Sequence, residues 1–264
     1  MCFSGRQIPV HYSGLKANIQ TVASPLGTQI PQASGLAYAL KRKDRDACCV
    51  VYFGEGAASE GDCHSAMNMA ATLKCPTIFF CRNNGYAIST STKDQYAGDG
   101  IASRGIGYGI PAIRFDGNDL FAVYNATKAA RKIACEEGRP VLMEAMTYRV
   151  GHHSTSDDST AYRSVDEVSY WDTVDTPINR IKQYMTDKNW WNEDLEKSFR
   201  KETRAELLKA FNECAITSLP NPMWMFDDAW DELPLHVQEQ RKELKEHLAE
   251  YGEHYDLEKY EPVK

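Results

Sequence analysis

The chain has 264 residues, 42% hydrophobic and 25% charged, ordinary proportions for a globular protein with room for one large domain or one domain plus an extension. Its net charge of −7 gives no electrostatic support for nucleic-acid binding, and no apolar run approaches the roughly 18 residues that a membrane span needs. The eight cysteines form no Cys-x-x-Cys pair and several sit in or beside apolar runs, so buried reduced thiols fit better than a zinc or disulfide framework.

Thr28 to Lys41, rich in Ala, Leu and Gly, reads as a helix buried by small residues and ended by the charged turn Arg42 to Asp46. Ala47 to Phe53 is a near-continuous apolar run, as expected of a strand covered on both faces. Ser59 to Leu73 reads as a helix with Ser59 as N-cap, and Pro76 to Cys81 as a second strand. Ala112 to Phe115 is a third strand, closed by the turn Asp116-Gly117-Asn118-Asp119. A helix then spans about Asp119 to Glu137, with Val123, Ala126, Ala130, Ile133 and Ala134 on one face; Gly138 stops it, and Val141 to Met146 is a fourth strand. This alternation predicts an α/β domain with a parallel, doubly covered sheet over residues 1–151. Residues 152–165 then form a separate stretch: His152 to Ser164 is polar, aperiodic and long for a plain connection, hence a functional or mobile loop. Residues 166–264 read as a helical C-terminal region, with helices at about Ile178 to Thr186 and Glu193 to Ala215, and a break at Leu219-Pro220-Asn221-Pro222. On a last helix, Val237, Leu244, Leu248 and Tyr251 form a stripe too thin to bury alone, so it should pack on the domain or on a partner subunit.

Two of the apolar strands stop at polar clusters, Gly54-Glu55-Gly56 and Arg82-Asn83-Asn84-Gly85-Tyr86. The Glu55 carboxylate and the Asn84 amide oxygen are hard ligands of the kind Mg²⁺ takes. The 26 residues between Gly56 and Asn83 suffice for one crossover helix, which would set both clusters at the carboxyl ends of parallel strands. Gly54 and Gly56 would let the backbone approach a ligand, the N–H groups of Gly56 and Ala57 before a helix would favour an anion, and Arg82 offers a fork for phosphate. Singly, Glu55 and Asn84 are as well explained as turn or cap residues; together with the glycines and Arg82 they point to metal–diphosphate binding.

This pattern resembles the thiamine-diphosphate motif of the 2-oxo acid dehydrogenases. The stretches Ser24-Pro25-Leu26-Gly27-Thr28-Gln29 and Tyr148-Arg149-Val150-Gly151-His152-His153-Ser154-Thr155-Ser156-Asp157-Asp158 narrow it to the alpha-subunit family of the branched-chain enzymes, over essentially the whole chain. Glu55, where pyruvate-type relatives carry Asp, favours the branched-chain type. The resemblance implies the α/β thiamine-diphosphate-binding fold, with Mg²⁺ on Glu55, Asn84 and the Tyr86 carbonyl. It implies cofactor contacts from Ser24, Leu26, Gly54, Gly56, Ala57, Arg82 and His153, the last also taking part in acyl transfer. It further implies K⁺ on Pro25, Thr28 and Gln29, weakened by Ala23 where the family has serine; Thr28 and Gln29 equally suit a plain helix start. Ser154 and Ser164 match the family's phosphorylation positions, and otherwise read as ordinary loop serines. Adjacent His152 and His153 lack a third ligand at zinc spacing.

By the same resemblance the chain decarboxylates branched-chain 2-oxo acids and passes the acyl group to a lipoyl-bearing transacylase. It does so in the mitochondrial matrix, in an alpha2-beta2 heterotetramer whose beta subunit completes the site, under a regulatory kinase and phosphatase. A pyruvate-type alpha subunit and a non-catalytic assembly subunit are the alternatives. Met1 to Arg6 reads as neither a signal peptide nor a presequence. Gly5 to Tyr12 corresponds to a mid-protein segment of the family, so a fragment, a partial gene model or a short isoform is expected, without the upstream Tyr-Arg pair that grips the diphosphate.

Overall fold

The structure, a computed structural model, describes residue 11, residues 13–227 and residues 229–262. The Gly5 to Tyr12 segment lies outside the described residues except for His11, as does Cys2. The chain divides into two compact units: Pro25–Asn192, and Glu193 onward together with Ser24 and the described residues before it. The division falls at Asn192 rather than at the expected boundaries after residues 151 and 165. The reason lies in the 152–164 stretch, which is bonded back onto the segment leaving the sheet: the Arg163 guanidinium donates to the carbonyls of Arg149, Val150 and Gly151.

The larger unit runs α1 (Gln29–Arg42), β1 (Cys49–Gly54), α2 (Gly61–Leu73), β2 (Thr77–Asn83), the ribbon β3 (Tyr86–Ala87) and β4 (Thr90–Ser91), and the short helices α3 (Thr92–Gln95) and α4 (Arg104–Tyr108). It continues with β5 (Ala112–Asp116), α5 (Leu120–Glu136), β6 (Val141–Met146), α6 (Val165–Thr173) and α7 (Pro177–Asp187). β1, β2, β6 and β5 form one all-parallel sheet in that order. All four strands were expected; their spatial order was not, because it depends on which crossovers skip a neighbour.

Strand alternation sorts the core into two layers. On one face Val51, Phe53, Phe79, Cys81 and Leu142 pack with Ile30, Ala33 and Ala37 of α1 and with Cys63, Ala66, Met67 and Ala70 of α2. On the other, Ile78, Val141 and Met143 pack with Ala130 and Ala134 of α5. The small helix residues let the backbones approach the sheet closely. α5 begins cleanly because the Asp119 carboxylate accepts the N–H groups of Phe121 and Ala122.

Three local expectations are corrected. The apolar run at β1 is covered on one face only: β1 is an edge strand, α5 lies over β2, β6 and β5, and Val50 and Tyr52 remain 39% and 66% exposed. Ser59 does not cap a helix; its hydroxyl accepts from Gln95 Nε2, residues Ala57–Ser59 form a 3-10 turn, and α2 starts two residues later, at Gly61. α6 was not anticipated; Ser164 caps it by accepting the Glu167 N–H at 3.1 Å.

The smaller unit holds α8 (Glu193–Ala215) and α9 (Leu235–Tyr251). Its chain end is tied by Leu219 N–H to the Lys259 carbonyl and Glu261 N–H to the Leu219 carbonyl, both at 2.7 Å. On α9 Val237 is buried and Leu244 and Leu248 are half-buried, so the expected stripe is only partly covered. No helix of the described residues is long and apolar enough to cross a membrane, and every described cysteine is a free thiol.

Leu142 is fully buried at the centre of the sheet, whereas Asp119 is half-buried, caps α5 and has the Arg180 guanidinium 3.7 Å from its carboxylate. Leu142→Ala should lower the unfolding free energy by about 2–5 kcal/mol and Asp119→Ala by about 1 kcal/mol. Urea denaturation of both variants checks the order; equal losses would contradict this assignment of the core.

Candidate functional site

β1 and β2 pair in register, from Cys49 opposite Thr77 to Gly54 opposite Arg82, so Glu55 and residues 83–86 leave the sheet at one level. Glu55 continues the inward face of Val51 and Phe53 and is fully buried, at 0% exposure. Its Oε2 accepts the Asn84 N–H at 3.1 Å, while Oε1 is buried without a protein partner. Burial raises its pKa above the ordinary carboxylate value, and nearby backbone N–H groups and Arg149 offset this only in part. An unpaired oxygen on a buried carboxylate is costly unless something else coordinates it.

The second cluster is shaped by Gly85, whose φ of +87° lies in the left-handed region that favours glycine. The turn lets Asn84 Oδ1 accept the Tyr86 N–H at 3.2 Å, and Asn83 Oδ1 accept the Gly85 N–H at 3.1 Å. Glu55, Asn84 and Tyr86 are thus brought together as the sequence suggested. The donor set is all oxygen, as Mg²⁺ requires, and the orphaned Oε1 of Glu55 supplies a free ligand position. Among the described residues no three His, Cys, Asp or Glu side chains gather around a metal position. The arrangement therefore suits an ion that takes one protein carboxylate and completes its shell with amide, carbonyl and ligand oxygens.

The Gly54-Glu55-Gly56 turn is pinned from above by Gln95, whose Nε2 donates to the Glu55 and Gly56 carbonyls at 3.4 and 3.2 Å. Gly56 has an ordinary helical φ of −61°; it must be glycine because a Cβ there would lie 2.8 Å from the Ala87 Cβ. Ala57 opens the 3-10 turn, so the α2 N-terminus does not directly follow Gly56, and the expected helix-start contribution is displaced to Gly61. Arg82 is exposed and, by strand alternation, shares the face of Ile78 and Phe80, opposite to that of Asn83.

At the start of α1, the Thr28 hydroxyl donates to the Pro25 carbonyl at 3.2 Å, and Gln29 Nε2 donates to the Tyr52 carbonyl at 3.2 Å. Thr28 occupies the cap position without a side-chain capping bond. Leu26 is exposed. Ser24 belongs to the smaller unit, where its Oγ lies 2.6 Å from His11 Nε2.

The loop after β6 is densely bonded. Arg149 donates to the Ile88 carbonyl and to Tyr162 Oη, both at 2.7 Å; Tyr162 Oη donates to Asp157 Oδ2 at 2.7 Å; and the His153 N–H donates to the same oxygen at 2.8 Å. The bonds from His153 and Tyr162 hold the Asp157 carboxyl below the usual range. The Arg149 and Arg163 guanidiniums both lie over the Tyr86 ring, so loop and candidate metal turn share an aromatic–cation stack. His153 itself is exposed, and its ring makes no hydrogen bond among the described residues. The Ser154 hydroxyl is exposed, 3.3 Å from that of Ser156. His152 Nδ1 accepts the Ser159 N–H at 3.0 Å, a structural bond rather than a metal arrangement.

Sequence reasoning missed Gln95, Arg163 and Glu144. Glu144 had a legible signal: a carboxylate inside the apolar strand Val141–Met146 must find partners. Gln95 and Arg163 had none, since their partners, mainly backbone carbonyls with the Ser59 and Ser159 hydroxyls, are brought close only by the tertiary fold.

The profile of the dehydrogenase E1 component family matches residues 3–223. The chain belongs to the dehydrogenase E1 component family. Over 257 residues, 97% of this chain, it is 58% identical to the mitochondrial 2-oxoisovalerate dehydrogenase subunit alpha of Mus musculus and 57% identical to that of Homo sapiens, covering 58% of each. The Caenorhabditis elegans protein of the same name is 58% identical over 254 residues, 96% of this chain and 59% of that one. This E1 chain therefore spans somewhat under two thirds of the length of these relatives.

The buried Glu55 yields a pH prediction. Its folded-state pKa is raised, so its favourable contribution is complete below the unfolded carboxylate pKa and is lost as pH rises through the folded value. Glu55→Gln should therefore raise the melting temperature of the metal-free protein at pH 7, and the gain should shrink toward pH 4. Thermal scans across that range test this; a variant less stable than wild type at pH 7 would contradict it.

Proposed function

We propose that this chain is an alpha subunit of the branched-chain 2-oxo acid dehydrogenase first component, binding Mg²⁺ and thiamine diphosphate. The observation that carries the reading is the buried Glu55 carboxylate, one oxygen bonded to Asn84 and the other without a protein partner, at the carboxyl ends of two parallel strands. Glu55, Asn84 and the Tyr86 carbonyl would hold Mg²⁺. Gly54, Gly56, Ala57, Leu26 and Arg82 would face the cofactor, Arg82 from the rim. The bound cofactor would supply the nucleophilic carbon and the electron sink for decarboxylating a 2-oxo acid. The protein's own share is to fix the diphosphate, through the Gln95-pinned turn and the Gly85 turn, and to hold His153 on a loop anchored by Asp157, Arg149 and Arg163. The imidazole ring nitrogens there could take part in hydrogen bonding during acyl transfer to a lipoyl-bearing transacylase.

Pro25, Thr28 and Gln29 would hold K⁺: the first two already meet through a hydrogen bond and retain oxygen lone pairs for a cation. A beta subunit would complete the site in an alpha2-beta2 heterotetramer, and the relatives' names support a mitochondrial setting. The substrate class rests on the identity to 2-oxoisovalerate dehydrogenase subunits. The test is decarboxylation of 3-methyl-2-oxobutanoate by this chain co-expressed with a matching beta subunit, with Mg²⁺ and thiamine diphosphate supplied and pyruvate as control. Activity on the branched acid that Glu55→Ala abolishes is the expected result. Preference for pyruvate would overturn the substrate assignment, and absence of cofactor binding in a stable complex would overturn the function.

Ser154 and Ser164 would be the targets of a regulatory kinase and phosphatase. Phosphate adds about −1.5 to −2 charge; at Ser154 it would stand beside two aspartates, Asp157 and Asp158, whose pKa values are both lowered by hydrogen bonds. At Ser164 it would replace the capping hydroxyl of α6. Ser154→Glu is expected to lose activity several-fold, less than kinase-treated protein, because it carries charge without the phosphate's bulk. Full activity in both preparations would remove the switch.

A further inference from the structure

We propose that Glu144 is a positioning residue for the metal-bearing turn of residues 83–86, acting through the Asn83 side chain. The inference rests on the Mg²⁺–diphosphate reading of that turn.

Glu144 lies in β6, whose residues are buried from Val141 to Ala145, and its carboxylate is itself fully buried. Four N–H donors converge on it. Asn83 Nδ2 and the Ile101 N–H reach Oε1 at 2.8 and 2.9 Å; the Ala102 N–H and Arg114 Nε reach Oε2 at 2.8 and 2.9 Å. Arg114 stands directly opposite Glu144 in the β5–β6 register and carries Asp99 on its far side. Burial alone would raise the carboxyl's pKa; the donors outweigh it, and the net shift is downward, so the group is ionised.

An ionised carboxylate can only accept hydrogen bonds. It therefore fixes which end of the Asn83 amide faces it: Nδ2 must, and Oδ1 is turned toward the Gly85 N–H, which it accepts at 3.1 Å. That second bond closes the left-handed turn at Gly85. The turn in turn presents the Asn84 N–H to Glu55 and sets the Asn84 amide against Tyr86. The Asn83 carbonyl is also used, accepting the Thr147 N–H at 2.8 Å, so Asn83 is tied to β6 and the residue after it at two points and closes the turn at a third. Three of the four bonds to Glu144 come from Ile101, Ala102 and Arg114; the fourth comes from Asn83, the first residue of the candidate metal turn.

The test uses the chain co-purified with a matching beta subunit, titrating Mg²⁺ at saturating thiamine diphosphate by calorimetry. Glu144→Gln keeps the shape and removes the charge that orients Asn83. Asn83→Ala removes the link and leaves Glu144 its three other donors, so it decides the matter if Glu144→Gln does not fold. Each should raise the half-saturating Mg²⁺ concentration about 10–100-fold, the scale of a lost supporting contact to a metal ligand. The double variant should add little, because both changes break one contact. Half-saturation within twofold of wild type in both variants, whatever happens to the melting temperature, overturns the role of Glu144. If Glu55→Ala also binds Mg²⁺ and cofactor like wild type, the metal reading itself is wrong and this inference falls with it.

Discussion

Everything at the candidate site depends on the in-register parallel pairing of β1 with β2. Parallel strands joined by one crossover helix end at the same edge of the sheet. Here the pairing runs from Cys49–Thr77 to Gly54–Arg82, so the next residues of both strands, Glu55 and Asn83–Asn84, emerge side by side. A slip of one residue would turn Glu55 from the core face to the opposite one. The register is protected by the core itself, since Val51 and Phe53 would leave the α1–α2 layer together with Glu55 in such a slip of β1. Chemistry at the strand ends is thus placed by apolar packing one and two turns of pleat away.

This division of labour explains what could be read from the sequence. The four strands, the long helices and the Glu55–Asn84 pair were legible because each is a local pattern: an apolar run, a helical stripe, a polar cluster at a strand end. β6 and α8 matched their expected bounds, Val141–Met146 and Glu193–Ala215. What escaped was set by tertiary contact. The exposure of Val50 and Tyr52 follows from β1 lying at the sheet edge, which no local pattern encodes. Ser59 has the right chemistry for a cap, but Gln95, 36 residues later, takes its hydroxyl. The 152–164 stretch read as a functional or mobile loop because it is polar and aperiodic; its anchors, Tyr162 and the His153 N–H on Asp157, Tyr162 on Arg149 and Arg163 on the Gly151 carbonyl, are made only in the folded chain.

The two buried carboxylates of the sheet show how the fold separates structure from function. Glu144 and Glu55 are both fully buried, and they accept from adjacent residues, Glu144 from the Asn83 side chain and Glu55 from the Asn84 N–H. Glu144 receives four donors, including a guanidinium, and its pKa falls; Glu55 receives one hydrogen bond on Oε2 and none on Oε1, and its pKa rises. A sheet selected only for stability would satisfy both, or replace Glu55 by an apolar residue. Retaining a carboxylate that destabilises the metal-free chain makes sense if a cation recovers the lost energy on binding. Stability of this domain should then be linked to metal concentration, because a ligand that binds only the folded state shifts the folding equilibrium by mass action. On the proposed reading, the saturated carboxylate would keep the turn rigid, so that the energy released by a cation at the unsaturated one would go into binding rather than into ordering the backbone.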